Sequence, residues 1–551
     1  IAGLTLEACS PGSEQLIPIL IPEEPFVPGE ETWIKTTCFE CPGACGLTAR
    51  KIDGRIVKVE GNPEHPLSLG GICARAQATP QSLYHPDRLQ TPLVKQQDGS
   101  FSETSWEDAL DRIAQKLNTQ KDLAFLTGSI TGHRKEMVQR FLKATGNTHH
   151  LIHEPLPTPH FSHIDIRDVE YLVSFGAELL ESQPSPVRFS RGLAEMRQGK
   201  PGQRGKFVAV GPRLSLTAAN ADEWIPTRPG EELNIALQII HVLIRDNLHA
   251  LQDFTGLDAL RTAVAPFQPS ANTERLAHEM ASHKPTLAIG GKVSSALAQA
   301  ISNLNVLLGM NRPESSDPPF KPWHKLVGKD PESYTLEEAL KTLSPPQVLF
   351  IANSNPMYSL APSTGIEDWF ASIPFTVSFS SFLDETTSMC QLVLPESMSF
   401  ERFEDAVPSC STVSIATLSV PLFSRPLYDT KSMPDALIDI ANRIGKVDSF
   451  PWSSYEAALR EAWAGLDITW EAAKSQGGWW KESESSITSS TVELEMQSIE
   501  STQKISEDLV LYIYPSTAFG DGSSAHLPYL QELADPITGV RWGSVVEVGT
   551  D

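Results

Sequence analysis

TTCFECPGACGLTAR, residues 36–50, places Cys38, Cys41 and Cys45 in a C-x2-C-x3-C spacing. A fourth cysteine, Cys73, follows in GGICARAQ, whereas Cys9, Cys390 and Cys410 stand isolated and far apart. Three chemistries suit such a set. Two disulfides would crowd the first three cysteines, and a chain of 551 residues is too large to need staples. Four thiolates also suit tetrahedral zinc, but zinc sites usually pair two C-x2-C knuckles, and the second knuckle is missing. A cubane [4Fe–4S] cluster takes three thiolates from one tight loop and one from a distance, as here. Gly43 and Gly46 let the loop backbone approach the sulfides and donate N–H bonds that tune the potential. Spacing and context favour one [4Fe–4S] cluster on Cys38, Cys41, Cys45 and Cys73 over the other two readings.

Next to the loop, LTARKIDGRIVKVEGNPEHP alternates like a β-hairpin turning at Asp53-Gly54. Gly61-Asn62-Pro63 then sends the chain back towards Cys73. Residues 1–32 read as an extended, proline-rich arm, and residues 33–92 as the iron–sulfur module. Further on, SWEDALDRIAQKL predicts an amphipathic helix with Ser105 as N-cap and Asp108 in its first turn.

Six apolar runs follow, each ending in small or turn residues: LAFLTGS, YLVSFGAE, KFVAVGP, TLAIGGK, VLFIANSNP and FTVSFSSF. Helical stretches such as EELNIALQIIHVLI separate most of them. Fully apolar strands alternating with helices predict an α/β fold with Rossmann-like parallel sheets covered on both faces. Small residues at the strand ends suit a nucleotide-like ligand at the carboxyl edge, although no full G-x-G-x-x-G is present. The expected division is a first α/β domain from 93–165 and 335–475, and a second from 166–334. A Ser/Glu-rich excursion covers 476–507, and strand-like sequence (LVLYIYPS to WGSVVEVGTD) opens a C-terminal region at 508–551.

The chain is acidic, with a formal net charge of -24. That argues against nucleic acid or an anionic membrane surface as partner and favours a basic redox protein. Nowhere are 18 successive residues apolar, so the sequence has no self-sufficient membrane span. IAGLTLEACSPGSEQ at the N-terminus looks like the tail of an export signal with a lipobox-like L-E-A-C, which makes Cys9 a candidate lipid anchor.

Taken together, TTCFECPGACGL, KVEGNPEHPLSLGGICARAQA, LYHPDRL, TRPGEE, NSNPMY, FLDETTSMCQLVLPES and LPYLQELADPITGVRWGS resemble the molybdopterin oxidoreductase (DMSO reductase) family over nearly the whole chain. LIPILIPEEPFVPG, FGAELLESQPSPVRFSRGLAEMRQG and PRLSLTAANADEW resemble one subgroup: the molybdopterin-like subunits of two membrane quinone complexes. One is the periplasmic quinone reductase complex of sulfate reducers, the other alternative complex III. All four cysteines are kept, which points to the quinone reductase type.

The resemblance implies an N-terminal cluster module, two α/β domains and a pterin-clamping barrel, whose start near Val545 leaves it outside this chain. It implies a cluster, with molybdopterin absent. A catalytic member carries a Mo-ligating Cys, selenocysteine or Ser, sometimes Asp, in the loop after the first sheet unit. Here GNTHHLIHEPLPTPHFSHID has no cysteine and no serine before Ser162, leaving Glu154 as a carboxylate near that place. Arg75 matches the family's Lys or Arg between cluster and pterin, and stands as a candidate for tuning the cluster, against the plain reading of a surface arginine.

Other candidates carry structural readings. His149, His150, His153, His160 and His163 lie among Pro155, Pro157 and Pro159, which prevent a helical ligand pair, so they read as loop histidines. Asp384-Glu385 need no acid–base role, and Cys390 and Cys410 read as buried small hydrophobes.

The expected function is an iron–sulfur electron-transfer subunit of a periplasm-facing membrane quinone oxidoreductase complex, with no independent catalytic site. Its expected partners are a multi-cluster iron–sulfur subunit, a multihaem cytochrome c and an NrfD-like integral membrane quinone-binding subunit, with no nucleic acid. The alternative is a catalytic Mo-bis-pterin subunit reducing polysulfide, thiosulfate or tetrathionate.

Overall fold

A computed structural model describes residues 29–155, 164–181, 185–198, 204–250, 256–291, 295–310, 318–408, 410, 412–482, 510–543 and 546–548. The N-terminal arm with Cys9, the loop with His160, Ser162 and His163, and the stretch 483–509 lie outside them.

β1 (Glu31–Thr37), β2 (Gly46–Ile52) and β3 (Arg55–Gly61) form an antiparallel three-stranded sheet. The expected hairpin is there. Asp53 and Gly54 take φ of 47° and 84°, the left-handed pair of a two-residue turn, and Ile52 faces Arg55 across it. α1 (Ala74–Leu83) follows directly on Cys73. The inner faces of this module, Leu47, Ala49, Ile56 and Val59, join the main core.

After β4 (Leu93–Lys95) and β5 (Phe101–Glu103) comes α2 (Trp106–Thr119), capped as expected by Ser105, whose side chain accepts the Asp108 N–H at 3.0 Å. β6 (Leu123–Thr127), α3 (Gly132–Thr145) and β7 (His149–Ile152) continue the alternation. The chain then builds a separate, wholly parallel sheet in the order β10-β9-β8-β11. Its strands are β8 (Tyr171–Phe175), β9 (Lys206–Gly211), β10 (Glu223–Pro226) and β11 (Thr286–Gly290). α4 (Pro186–Gln198) covers one face through Phe189, Leu193 and Met196, and helices 232–245, 271–282 and 295–307 cover the other.

The chain returns with β12 (Glu332–Thr335), β13 (Val348–Ala352), β14 (Phe375–Ser380) and β15 (Leu392–Pro395). These complete an eight-stranded sheet in the order β12-β7-β6-β13-β14-β15-β4-β5, antiparallel only where β4 and β5 join. All six apolar runs read from the sequence are strands of these two sheets. Phe125, Phe141, Phe350 and Phe379 pack ring against ring on one face of the larger sheet.

Two expectations change. Residues 478–482, assigned by composition to the Ser/Glu-rich excursion, form β18. It pairs with β17 (Val413–Ser419), which pairs with β16 (Glu404–Ala406). Trp479 is buried there, so aromatic burial overrides the polar run beside it. Conversely, the strand-like residues 510–515 pair with no strand among the described residues, and Leu511 and Ile513 stay more than 80% exposed (82% and 83%). The cluster module docks on the β16–β18 sheet through Thr36 Oγ1 and Ser419 Oγ, 2.9 Å apart, and on the chain just after β17 through the Lys51 ammonium on the Leu422 carbonyl at 2.7 Å. No helix among the described residues is long and apolar enough to cross a membrane.

Candidate metal centre

The mouth of the β1–β2 hairpin gathers three thiols. The Cys38 N–H donates to the Cys45 carbonyl at 2.9 Å, and Ala44, at a left-handed φ of 44°, sends its N–H to the Cys41 carbonyl at 3.5 Å. Cys73 completes the set as N-cap of α1, where burial raises its thiol and the Ala76 and Arg75 N–H groups pull it back towards thiolate. The four sulfurs interact through space: Cys38 feels Cys73, Cys41 and Cys45, and Cys45 feels Cys41 and Cys73.

Cys38 and Cys45 are buried, and Cys41 and Cys73 are partly open. Burial pushes the Cys38 thiol well above its ordinary value and that of Cys45 up to about 12. Each of these two thiols is raised by the charge of the others, so full ionisation of the set requires bound cations, which deprotonate thiols outright. Among the described residues, no three His, Cys, Asp or Glu side chains converge on a single-ion site. A cubane spreads its four thiolates over separate irons and takes a wider spacing than one zinc. The donor set fits a [4Fe–4S] cluster.

Arg75 is not a surface residue. Only 6% exposed, it loses solvation, yet the charges of Cys41, Cys73 and Asp521 hold it firmly cationic. Residues 516–533 lie over it. Gly520 sits directly against the guanidinium, where a Cβ would collide, and Leu527 and Leu530 pack on Ala78 of α1. Two neighbours escaped the sequence reading. Glu40, inside the three-cysteine loop, is raised by burial and accepts the Ser524 hydroxyl at 2.9 Å. Ser185, at the start of α4, brings its Oγ to 3.6 Å from Cys45 Sγ. Glu40 was readable as a carboxylate between two of the clustered cysteines, but no local pattern marks Ser185.

The remaining candidates are structural. His149 and His150 belong to β7, not to a loop: the alternation of the parallel sheet claims them before the prolines begin. His150 Nε2 meets Thr127 Oγ1 at 2.9 Å, and burial lowers its pKa to about 4. His153 Nε2 meets Ser359 Oγ at 2.7 Å. Glu154 follows partly buried after β7. Asp384 caps the short helix Glu385–Met389, accepting the Thr387 N–H at 2.7 Å, while Glu385 accepts the Asn355 amide at 2.7 Å. Cys390 and Cys410 are fully buried.

A second concave region opens at the carboxyl edge of the neighbouring strands β8 and β9. Gly176, Glu178, Gly211, Arg213, Thr217 and Tyr512 line it. Arg213 faces Glu178 at 3.6 Å and Glu547 at 3.7 Å, and stacks on Tyr514 with 3.6 Å to the ring centre.

Residues 88–408 match the molybdopterin oxidoreductase family model, and residues 31–85 match the molybdopterin oxidoreductase Fe4S4 domain. The chain belongs to the molybdopterin oxidoreductase family. Its Fe4S4 domain contains all four clustered cysteines.

Among relatives, the chain is 31% identical over 460 residues to the menaquinone reductase molybdopterin-binding-like subunit of Nitratidesulfovibrio vulgaris, covering 76% of this chain and 66% of that protein. It is 29% identical to the arsenate respiratory reductase molybdopterin-containing subunit of a Shewanella species, over 39% of this chain and 28% of that one. It is 27% identical to the thiosulfate reductase molybdopterin-containing subunit of Salmonella typhimurium, over 56% and 45%. The chain thus spans two thirds or less of these family members. Acetylene hydratase from Pelobacter acetylenicus shares the fold, with a TM-score of 0.67 over 82% of this chain and 74% of that one at 17% identity.

Proposed function

We propose that this chain is the iron–sulfur electron-transfer subunit of a membrane quinone oxidoreductase complex on the periplasmic side, working without molybdenum. The observation that carries the reading is the complete four-thiol pocket with Arg75 buried beside it. The likeness to a menaquinone reductase subunit supports the quinone assignment.

Bound there, a [4Fe–4S] cluster supplies one-electron chemistry. The chain's own residues hold it and set its electrostatics. Cys38 and Cys45 shield it, and Arg75 offsets thiolate charge. The partly open Cys41 and Cys73 give it an edge towards a partner. The net charge of -24 suits a basic multihaem cytochrome c on the electron-donating side. A multi-cluster iron–sulfur subunit and an integral membrane subunit complete the path to the quinone pool.

The second crevice supports the molybdenum-free part of the proposal. Its one lining cation among the described residues, Arg213, is engaged by Glu178, Glu547 and Tyr514, and Glu181 and Glu232 add charge around Tyr512. An anionic pterin dinucleotide finds there a poor electrostatic match. The second reading, a molybdenum enzyme acting on sulfur compounds, has the likeness to the thiosulfate reductase subunit in its favour.

Elemental and pterin analysis of the isolated complex separates the two. About four irons per chain with neither molybdenum nor pterin is the expected result. Stoichiometric molybdenum overturns it in favour of the second reading.

A further inference from the structure

Ser185 stands far from the ligand loop in sequence and against it in space. Its Oγ lies 3.6 Å from Cys45 Sγ and accepts the Arg188 N–H at 3.2 Å, as an N-cap does. A hydroxyl carries one proton. With the Arg188 N–H directed at a lone pair, that proton is left for the sulfur. Ser185 also holds a left-handed φ of 61°, a costly conformation for a residue with a side chain.

Two glycines make room for this arrangement. A Cβ on Gly43, between Cys41 and Cys45, would lie 2.7 Å from Ser185 Cβ and 2.8 Å from its Cα and N. A Cβ on Gly71, two residues before Cys73, would lie 2.6 Å from Val187 Cγ1. The first turn of α4 is therefore wedged between the three-cysteine loop and the approach to the fourth cysteine. α4 is 13 residues long, so the end it presents carries the positive pole of a full helix.

We infer that Ser185 is a positioning residue that raises the reduction potential of the cluster. Its hydroxyl donates to the Cys45 thiolate, and the α4 N-terminus it caps adds positive potential. Both interactions strengthen as the cluster gains an electron, so both favour the reduced state. The proton stays on the serine throughout. The inference rests on the cluster reading above, and it ties the redox centre to a helix of the separate four-stranded sheet.

The test is a potentiometric titration of the full-length protein, isolated anaerobically and followed by EPR, with iron counted in every sample. Ser185→Ala and Ser185→Gly both remove the hydroxyl, and glycine also accepts the left-handed φ without strain. Variants that load poorly are reconstituted with ferrous iron and sulfide first. Both are expected to show a lower midpoint potential. The oxidised-to-reduced ratio at fixed applied potential should change about tenfold, or ~59 mV for one electron. Ser185→Thr, which keeps a hydroxyl, should return towards wild type. An unchanged potential in the iron-replete glycine variant overturns the inference. So does a hydroxyl-free variant that takes no cluster even after reconstitution, because the role is then structural. Wild-type protein without iron is a different result, and sinks the cluster reading itself.

Discussion

The four-thiol pocket and the crevice at the edge of β8 and β9 are both lined by glycines, but their charges are settled differently. In the crevice, Arg213 lies between Glu178 and Glu547 and under Tyr514, so its charge is answered by the chain itself. In the pocket, four thiols face one another, two of them buried, with Cys38 and Cys45 raised by burial and by their neighbours, and with Arg75 as the nearby cation. The difference teaches where this protein leaves electrostatic work for a cofactor. A site that has balanced its own charge gains little from a ligand, whereas one that has not is completed by it.

The most severe way to break the comparison is Cys45→Ala. It removes one of the four thiolates, and the expected result is loss of the EPR signal with iron far below the wild-type count. Wild-type iron in this variant would show that the pocket is not the metal centre. Next comes Arg75→Met, which keeps the bulk of the side chain and removes its charge. Iron should stay bound while the midpoint potential falls, by about the tenfold ratio change that corresponds to ~59 mV for one electron. An unchanged potential would mean that Arg75 only fills space.

The link between the two regions is tested by acid. Asp165 accepts hydrogen bonds from Arg167 and from Thr412 next to β17, and so joins the four-stranded unit to the sheet that carries the cluster module. Burial opposes its charge, but these partners win and lower its pKa from 3.8 to about 2. A depressed carboxylate stabilises the fold above its unfolded pKa. That contribution, of order ~2 kcal/mol, is lost as pH falls from about 4 to about 2. Asp165→Asn should flatten this part of the stability–pH curve in chemical denaturation. A curve with unchanged slope would rule the tie out.

The smallest effect is expected in the crevice. Arg213→Met removes the 3.6 Å ion pair with Glu178 and should cost about 1 kcal/mol, with iron content and potential unchanged. A shifted potential there would mean that the two regions are electrically coupled after all.

Much of this was legible in the sequence because it is local. The C-x2-C-x3-C loop, the Asp53-Gly54 turn and the Ser105 cap each depend on residues a few positions apart, and the six buried strands announce themselves as unbroken apolar runs. The misses are of another kind. β18 was hidden because GGWWKE borders a polar run, and only its pairing with β17 claims it. Residues 510–515 alternate like a strand, yet an alternating pattern has no force without a neighbouring edge to bond. His149 and His150 looked like loop residues because the prolines after them dominate the local signal.

The sequence by itself determined the four-cysteine set, the α/β class and the six buried apolar strands, because thiol spacing and apolar periodicity are properties of short stretches. Only the tertiary structure decided what surrounds the thiols. Arg75 could have been a surface residue until 516–533 folded over it, Glu40 has its partner at Ser524, and Ser185 reaches Cys45 across 140 positions of chain. Such contacts are set by how the sheets stack. The potential of a metal centre depends on those neighbours as much as on its ligands.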